Sequence, residues 1–178
     1  MSKINDEGEK VKALSRKSIR VLTYIIYPLM TGLLVVAEPL TIFLYTEKWI
    51  AMVPFVWVVC IEAILSVPGT ITLQSVKAMG YSDKMLKAEI FKKPILILSI
   101  IIAMQYGVMA IALTLPLNTL LEFVINGVMA HKTVDYSIRE QLWDCLPATI
   151  MSVLMGAGVL LVAHLPLGLG TIDRKSVV

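Results

Sequence analysis

The chain has 178 residues and a formal net charge of +3, with 57% hydrophobic and only 16% charged residues. A soluble domain of this size carries nearer a quarter of its residues as charges, and here the charges cluster, leaving long uncharged runs between them. Together with a mean hydropathy of +0.80, this excludes an ordinary soluble domain and places the chain in the multi-pass membrane class.

Residues 1–20 read as a water-exposed, helical lead-in made basic by Lys3, Lys10, Lys12, Arg16, Lys17 and Arg20. It has no apolar core of its own, so it is not a signal peptide. The first span follows over 21–45, interrupted by Pro28 and by Glu38-Pro39, with Thr23, Tyr27, Thr31 and Glu38 on a polar face. Residues 46–49 make a short turn, where Tyr45 and Trp49 suit an interfacial aromatic belt.

The second span, 50–76, is the most informative. Glu62, Ser66, Thr70 and Gln74 recur at steps of four inside an apolar run, and Pro54, Pro68 and Gly69 interrupt its backbone. Residues four apart share a helix face with a drift of about 40° per step, so these groups form one slanting polar stripe. Such a stripe is costly in lipid unless it faces protein or water.

A basic loop is expected over 77–93, with Gly80 and Ser82-Asp83 as turn and cap residues. The third span, 88–105, overlaps its end, and Lys92 and Lys93 are placed to snorkel toward the interface. After the turn at Tyr106-Gly107, the fourth span covers 107–130 and repeats the step-of-four pattern with Thr114, Asn118, Glu122 and Asn126; Pro116 is a kink candidate. A polar loop at 131–144 leads to the fifth span, 145–164, whose Ala148, Ser152, Gly156, Ala157 and Gly158 allow close helix approach. Residues 165–178 form a tail too short for another span.

The fold expected is therefore an all-α, multi-pass membrane helix bundle of about five transmembrane helices. Charge orients it. Of the 16 Lys and Arg, only Lys48 falls in the first loop on the opposite side, and only Arg174 and Lys175 in the tail. The rest lie in the lead-in and the two loops on its side, so the N-terminus is expected to be cytoplasmic.

Cys60 and Cys145 lie at or within apolar stretches and read as small buried hydrophobes. His131 and His164 have no companion ligands, and the basic residues form no aromatic-interleaved face. No metal, cofactor or nucleic-acid partner is expected. No Ser-His-Asp set, phosphate-binding glycine loop or paired loop carboxylates occur, so an enzyme is not expected.

The polar groups inside the spans admit two readings. One is glue between helices, each group satisfied by a hydrogen bond within the bundle. The other is a hydrophilic route for a substrate or coupling ion. The candidates for the second are Glu62, Glu122, Asn118, Asn126, Gln74 and Glu38. In the Thr114–Asn126 stripe, amides and a carboxylate suit hydrogen bonding to sugar hydroxyls.

Specific stretches also carry a family resemblance: Pro28-Leu29-Met30-Thr31-Gly32-Leu33, Ala37-Glu38-Pro39-Leu40, and Thr46-Glu47-Lys48-Trp49 followed by Val53-Pro54-Phe55. Ala78-Met79-Gly80-Tyr81-Ser82-Asp83, Glu89 with Lys92-Lys93, and Tyr136 with Gln141-Leu142-Trp143-Asp144 and Pro147 continue the series. In this order they resemble bacterial polysaccharide transporters, the oligosaccharide-lipid flippases of the multidrug/oligosaccharidyl-lipid/polysaccharide exporter superfamily. The resemblance covers residues 2–162, with Tyr81 departing from the arginine of the family's Gly-Arg-Ser-Asp turn.

What the resemblance implies is part of a transporter, in the bacterial cytoplasmic (inner) membrane, that exports lipid-linked oligosaccharide for surface polysaccharide or lipopolysaccharide assembly by alternating access. It matches the C-terminal lobe of a two-lobed architecture, so the expected partners are the bilayer, the lipid-linked substrate and a missing N-terminal lobe. A multidrug or metabolite exporter of the related branch and a non-transporting membrane scaffold subunit are the alternatives.

Overall fold

The computed structural model describes residues 2–164; the tail expected over 165–178 lies outside the described residues. Five α-helices run through it: α1 (Ser2–Tyr45), α2 (Val53–Ala78), α3 (Ser82–Met104), α4 (Val108–Val134) and α5 (Ile138–His164), with a 3-10 segment at Glu47–Met52 between the first two. No strand occurs among the described residues.

The basic lead-in and the first span are one continuous helix. At 1.5 Å per residue, 44 residues extend about 66 Å, roughly twice the apolar thickness of a bilayer. The polar N-terminal part of α1 therefore reaches beyond any apolar layer that its C-terminal part crosses.

The connections are shorter than the charge pattern suggests. Most of the stretch 77–93, expected as a loop, is helical: α2 ends at Ala78 and α3 starts at Ser82. Gly80 makes the reversal possible with φ +78°, and its N–H closes the turn on the Lys77 carbonyl at 2.9 Å. Between α4 and α5, Asp135 takes the left-handed conformation that ends a helix, φ +51°. α5 then starts with a reciprocal capping box. Ser137 N–H donates to Glu140 Oε2 at 3.0 Å, and Glu140 N–H donates to Ser137 Oγ at 3.3 Å.

In space the helices pack in the order α5, α1, α2, α4, α3, with α1 and α2 at the centre. Small residues set several of the crossings. A Cβ on Gly69 of α2 would stand 3.5 Å from the Phe123 Cα of α4, and one on Gly156 of α5 would stand 2.9 Å from the Thr31 methyl of α1. Two small apolar clusters form the interior. Ile19, Tyr27, Val67, Tyr136, Cys145 and Ala148 make the larger one. Val76, Met85 and Ala130 make the smaller.

Most of the remaining apolar side chains face outward. Four helical segments, 7–45, 47–78, 108–134 and 138–162, are long and apolar enough to cross a membrane, and only 6–22% of their most apolar windows is buried. Water does not tolerate so much exposed hydrocarbon, whereas lipid does. α3, with 23 residues, has the length, but Lys87, Glu89, Lys92 and Lys93 crowd its first half. The chain is an all-α multi-pass membrane protein.

Candidate functional site

The polar stripes of α2 and α4 meet. A cleft of about 170 Å³ lies between the two helices, lined by Glu62, Ser66 and Thr70 from α2 and by Thr119, Glu122 and Asn126 from α4. The Phe123 ring and Leu73 supply its apolar walls. The close approach at Gly69 brings the helices near enough for this lining to converge.

Within the cleft, Glu62 is half-buried and accepts a hydrogen bond from Thr119 Oγ1 at 3.2 Å. Ser66 Oγ is turned back onto its own helix, donating to the Ala63 carbonyl at 3.0 Å. Glu122 is exposed and makes no hydrogen bond or ion pair among the described residues. Asn126 is 3% exposed and fully engaged: its Nδ2 donates to the Gly69 carbonyl at 3.3 Å, and its Oδ1 accepts from Lys92 Nζ at 2.6 Å.

Lys92 overturns an expectation. Instead of snorkelling outward it is 7% exposed and turns inward against Asn126. The amide oxygen accepts its hydrogen bond, and the carboxylates of Glu122 and Glu89 favour its charge, which offsets only part of the cost of burial. Lys93, one position on, is exposed.

Of the six candidate residues, Glu62, Glu122 and Asn126 share the cleft, and the other three do not. Asn118 is directed toward α3, donating to Ser99 Oγ at 3.0 Å and to the Thr114 carbonyl at 2.7 Å. Gln74 is exposed, outside the cleft. The reason is the drift of a step-of-four stripe: three steps from Glu62 rotate the chain by about 120°, so Gln74 leaves the face that Glu62 occupies. Glu38 lines a separate, mostly apolar cleft of about 470 Å³ with Pro39, Trp57, Ile61 and Leu160. There the Trp57 indole N–H donates to the Leu34 carbonyl at 3.2 Å.

A second polar assembly, which the step-of-four pattern does not reveal, joins α1 to α5. The Asp144 side chain is 1% exposed. It accepts hydrogen bonds from Nε and Nη2 of Arg16 at 2.8 and 3.2 Å, from Nε and Nη2 of Arg20 at 2.9 and 2.6 Å, and from Tyr136 Oη at 2.9 Å. Burial first, and then the bond to Asp144, push the Tyr136 phenol far above its ordinary range, so it stays a donor.

Around this hub, Lys12 pairs with Glu140 at 3.1 Å and donates to the Asp135 carbonyl at 2.6 Å. Gln141 accepts from Thr72 at 2.9 Å and donates to the Tyr136 carbonyl at 3.3 Å. A hydrogen bond of 2.5 Å links the Ser15 and Ser75 hydroxyls. The sequence carries only a partial signal for this assembly: Arg16 and Arg20 lie one turn apart on α1, as do Gln141 and Asp144 on α5. Nothing in the sequence paired the two sets.

Residues 1–54 match the family model described as "Polysaccharide biosynthesis protein". The chain is 28% identical over 130 residues, 73% of its length, to the lipopolysaccharide biosynthesis protein WzxC of Escherichia coli (strain K12). It is 24% identical over 143 residues, 76% of its length, to an uncharacterized membrane protein in the cps region of Klebsiella pneumoniae. The chain spans 26% and 30% of the length of these relatives. No solved structure matches it. The resemblance drawn from the ordered motifs is thus found independently: over about three quarters of its length this chain is similar to membrane proteins of bacterial polysaccharide biosynthesis.

Proposed function

We propose that the chain is part of a membrane transporter of the flippase type, which moves lipid-linked oligosaccharide across the bacterial cytoplasmic membrane for surface polysaccharide or lipopolysaccharide assembly. The observation that carries this reading is the α2/α4 cleft. Two carboxylates, Glu62 and Glu122, sit with hydroxyls and an amide between helices whose outer faces are apolar. Carboxylates and hydroxyls at such a place are costly in lipid and are retained where a polar solute passes. The names of the matching family and relative, which speak of polysaccharide and lipopolysaccharide biosynthesis, support a substrate from that assembly.

In this reading the N-terminus is cytoplasmic, and the Arg16–Arg20–Asp144 assembly lies at the cytoplasmic end, holding α1 against α5. The chain supplies one lobe of a larger transporter, the other lobe completing the route. It performs no covalent chemistry; its residues bind, orient and release.

Complementation of a flippase-deficient strain by the full-length gene tests the proposal. Wild type restores polymer at the cell surface, and Glu62→Gln with Glu122→Gln reduces it at unchanged protein level. Full export by the double variant would reduce both residues to a structural role, and failure of the wild type to restore polymer would remove the transport reading.

A further inference from the structure

The α2/α4 cleft presents more hydrogen-bond acceptors than donors, with two carboxylates among its lining. The amide NH2 of Asn126 gives one of its two N–H groups to the Gly69 carbonyl, and its oxygen accepts from the Lys92 ammonium. The Asn118 amide is likewise committed, to Ser99 and to the Thr114 carbonyl. Among the hydroxyls, Thr119 donates to Glu62 and Ser66 donates to the Ala63 carbonyl. What remains for a ligand is the second oxygen of Glu62, both oxygens of Glu122, the acceptor pairs of the hydroxyls, and Thr70. No Lys or Arg lines the cleft, and the buried Lys92 ammonium donates to the Asn126 amide oxygen at its edge.

From this we infer a selectivity, resting on the transport reading above: the cleft takes one donor-rich sugar ring, neutral or carrying an ammonium group, and rejects a ring carrying a carboxylate. A volume of about 170 Å³ falls below the range that holds a drug-sized ligand, so a single ring is the scale of the occupant. The exposed Glu122 carboxylate accepts from sugar hydroxyls as a charge-assisted acceptor, and the Phe123 ring offers an apolar wall for the C–H face of the sugar. An anionic ring meets two carboxylates in a lining that holds no Lys or Arg.

Binding to the purified full chain in lipid nanodiscs tests this, with glucosamine, methyl glucoside and glucuronate as probes, read by saturation-transfer NMR. Expected is the order glucosamine, methyl glucoside, glucuronate, the last weaker than the first by about tenfold or more. In Glu62→Gln/Glu122→Gln the order collapses to within about twofold. Glu122→Gln alone halves the charge effect and leaves helicity unchanged, since Glu122 is exposed and makes no hydrogen bond among the described residues. Lys92→Met frees the Asn126 oxygen and does not improve glucuronate binding. Equal or tighter binding of glucuronate by wild type, survival of the order in the double variant, or no saccharide binding at all would overturn the inference. Export and selectivity fail separately: a preserved binding order without restored polymer removes the transport role, and restored polymer without the order removes the selectivity.

Discussion

Arg16 on α1 and Asp144 on α5 meet across 128 positions of sequence, Nε to Oδ2 at 2.8 Å and Nη2 to Oδ1 at 3.2 Å. Asp144 is buried while the Arg16 side chain is 37% exposed. The carboxylate is therefore the vulnerable partner, because the guanidinium retains water and the acid does not.

Asp144→Asn removes that charge and replaces one of the two oxygens that Arg16, Arg20 and Tyr136 share by an NH2 group, which donates instead of accepting. The expected loss is about 1–3 kcal/mol of stability, below the cost of breaking a fully buried ion pair because both arginines keep solvent contact. Thermal unfolding in detergent measures it. In a double-mutant cycle with Arg16→Gln the losses are less than additive; strict additivity would show that the two residues do not depend on each other.

Lys92→Met takes the donor from Asn126 Oδ1, and the α3–α4 contact weakens by about 1–3 kcal/mol. Replacing both partners, Lys92→Met with Asn126→Leu, recovers most of the loss, since two apolar groups leave no unsatisfied atom at that joint. A double variant less stable than either single one would contradict the pairing.

Gly156→Leu and Gly158→Leu separate packing from composition. A side chain at Gly156 meets the Thr31 methyl, with Cβ already at 2.9 Å, whereas a Cβ at Gly158 meets nothing within 4 Å. Gly156→Leu costs about 1–3 kcal/mol by forcing α1 and α5 apart. Gly158→Leu is neutral or stabilising, because leucine favours the helix and faces outward. Comparing the two melting temperatures decides this.

Within the cleft, Thr119→Val removes the hydroxyl that holds Glu62 and lowers export by about threefold to tenfold, the value of one ordinary hydrogen bond, because the half-buried Glu62 keeps some contact with water. Gln74→Ala, on a face rotated away from the cleft, leaves export within about twofold. Polymer yield per unit of transporter is the readout, and an equal loss in both variants would mean that the stripe acts along its whole length.

The reach of the sequence differs from feature to feature. Gly80 and Gly107 mark helix ends by local chemistry, whereas Pro54, read as an interruption, and the Ser137–Glu140 box, read inside a loop, stand at helix starts in the structure. The stripe on α2 announced Glu62 because a carboxylate amid hydrophobes stands out in one dimension. The same pattern also names Gln74, which the structure places outside that cleft, since a period of four is not the period of a helix and the offset grows with each step.

Composition, helix class, membrane residence and the existence of polar faces follow from the sequence by itself, because each depends on residues within a few turns of one another. Only the tertiary structure decided which faces meet. It set α4 against α2 at Gly69, turned Lys92 inward onto Asn126, and joined Arg16 and Arg20 to Asp144. Those pairings depend on helix order and rotation, which arise from the packing of small residues far apart in the chain and leave no periodic trace within any one helix.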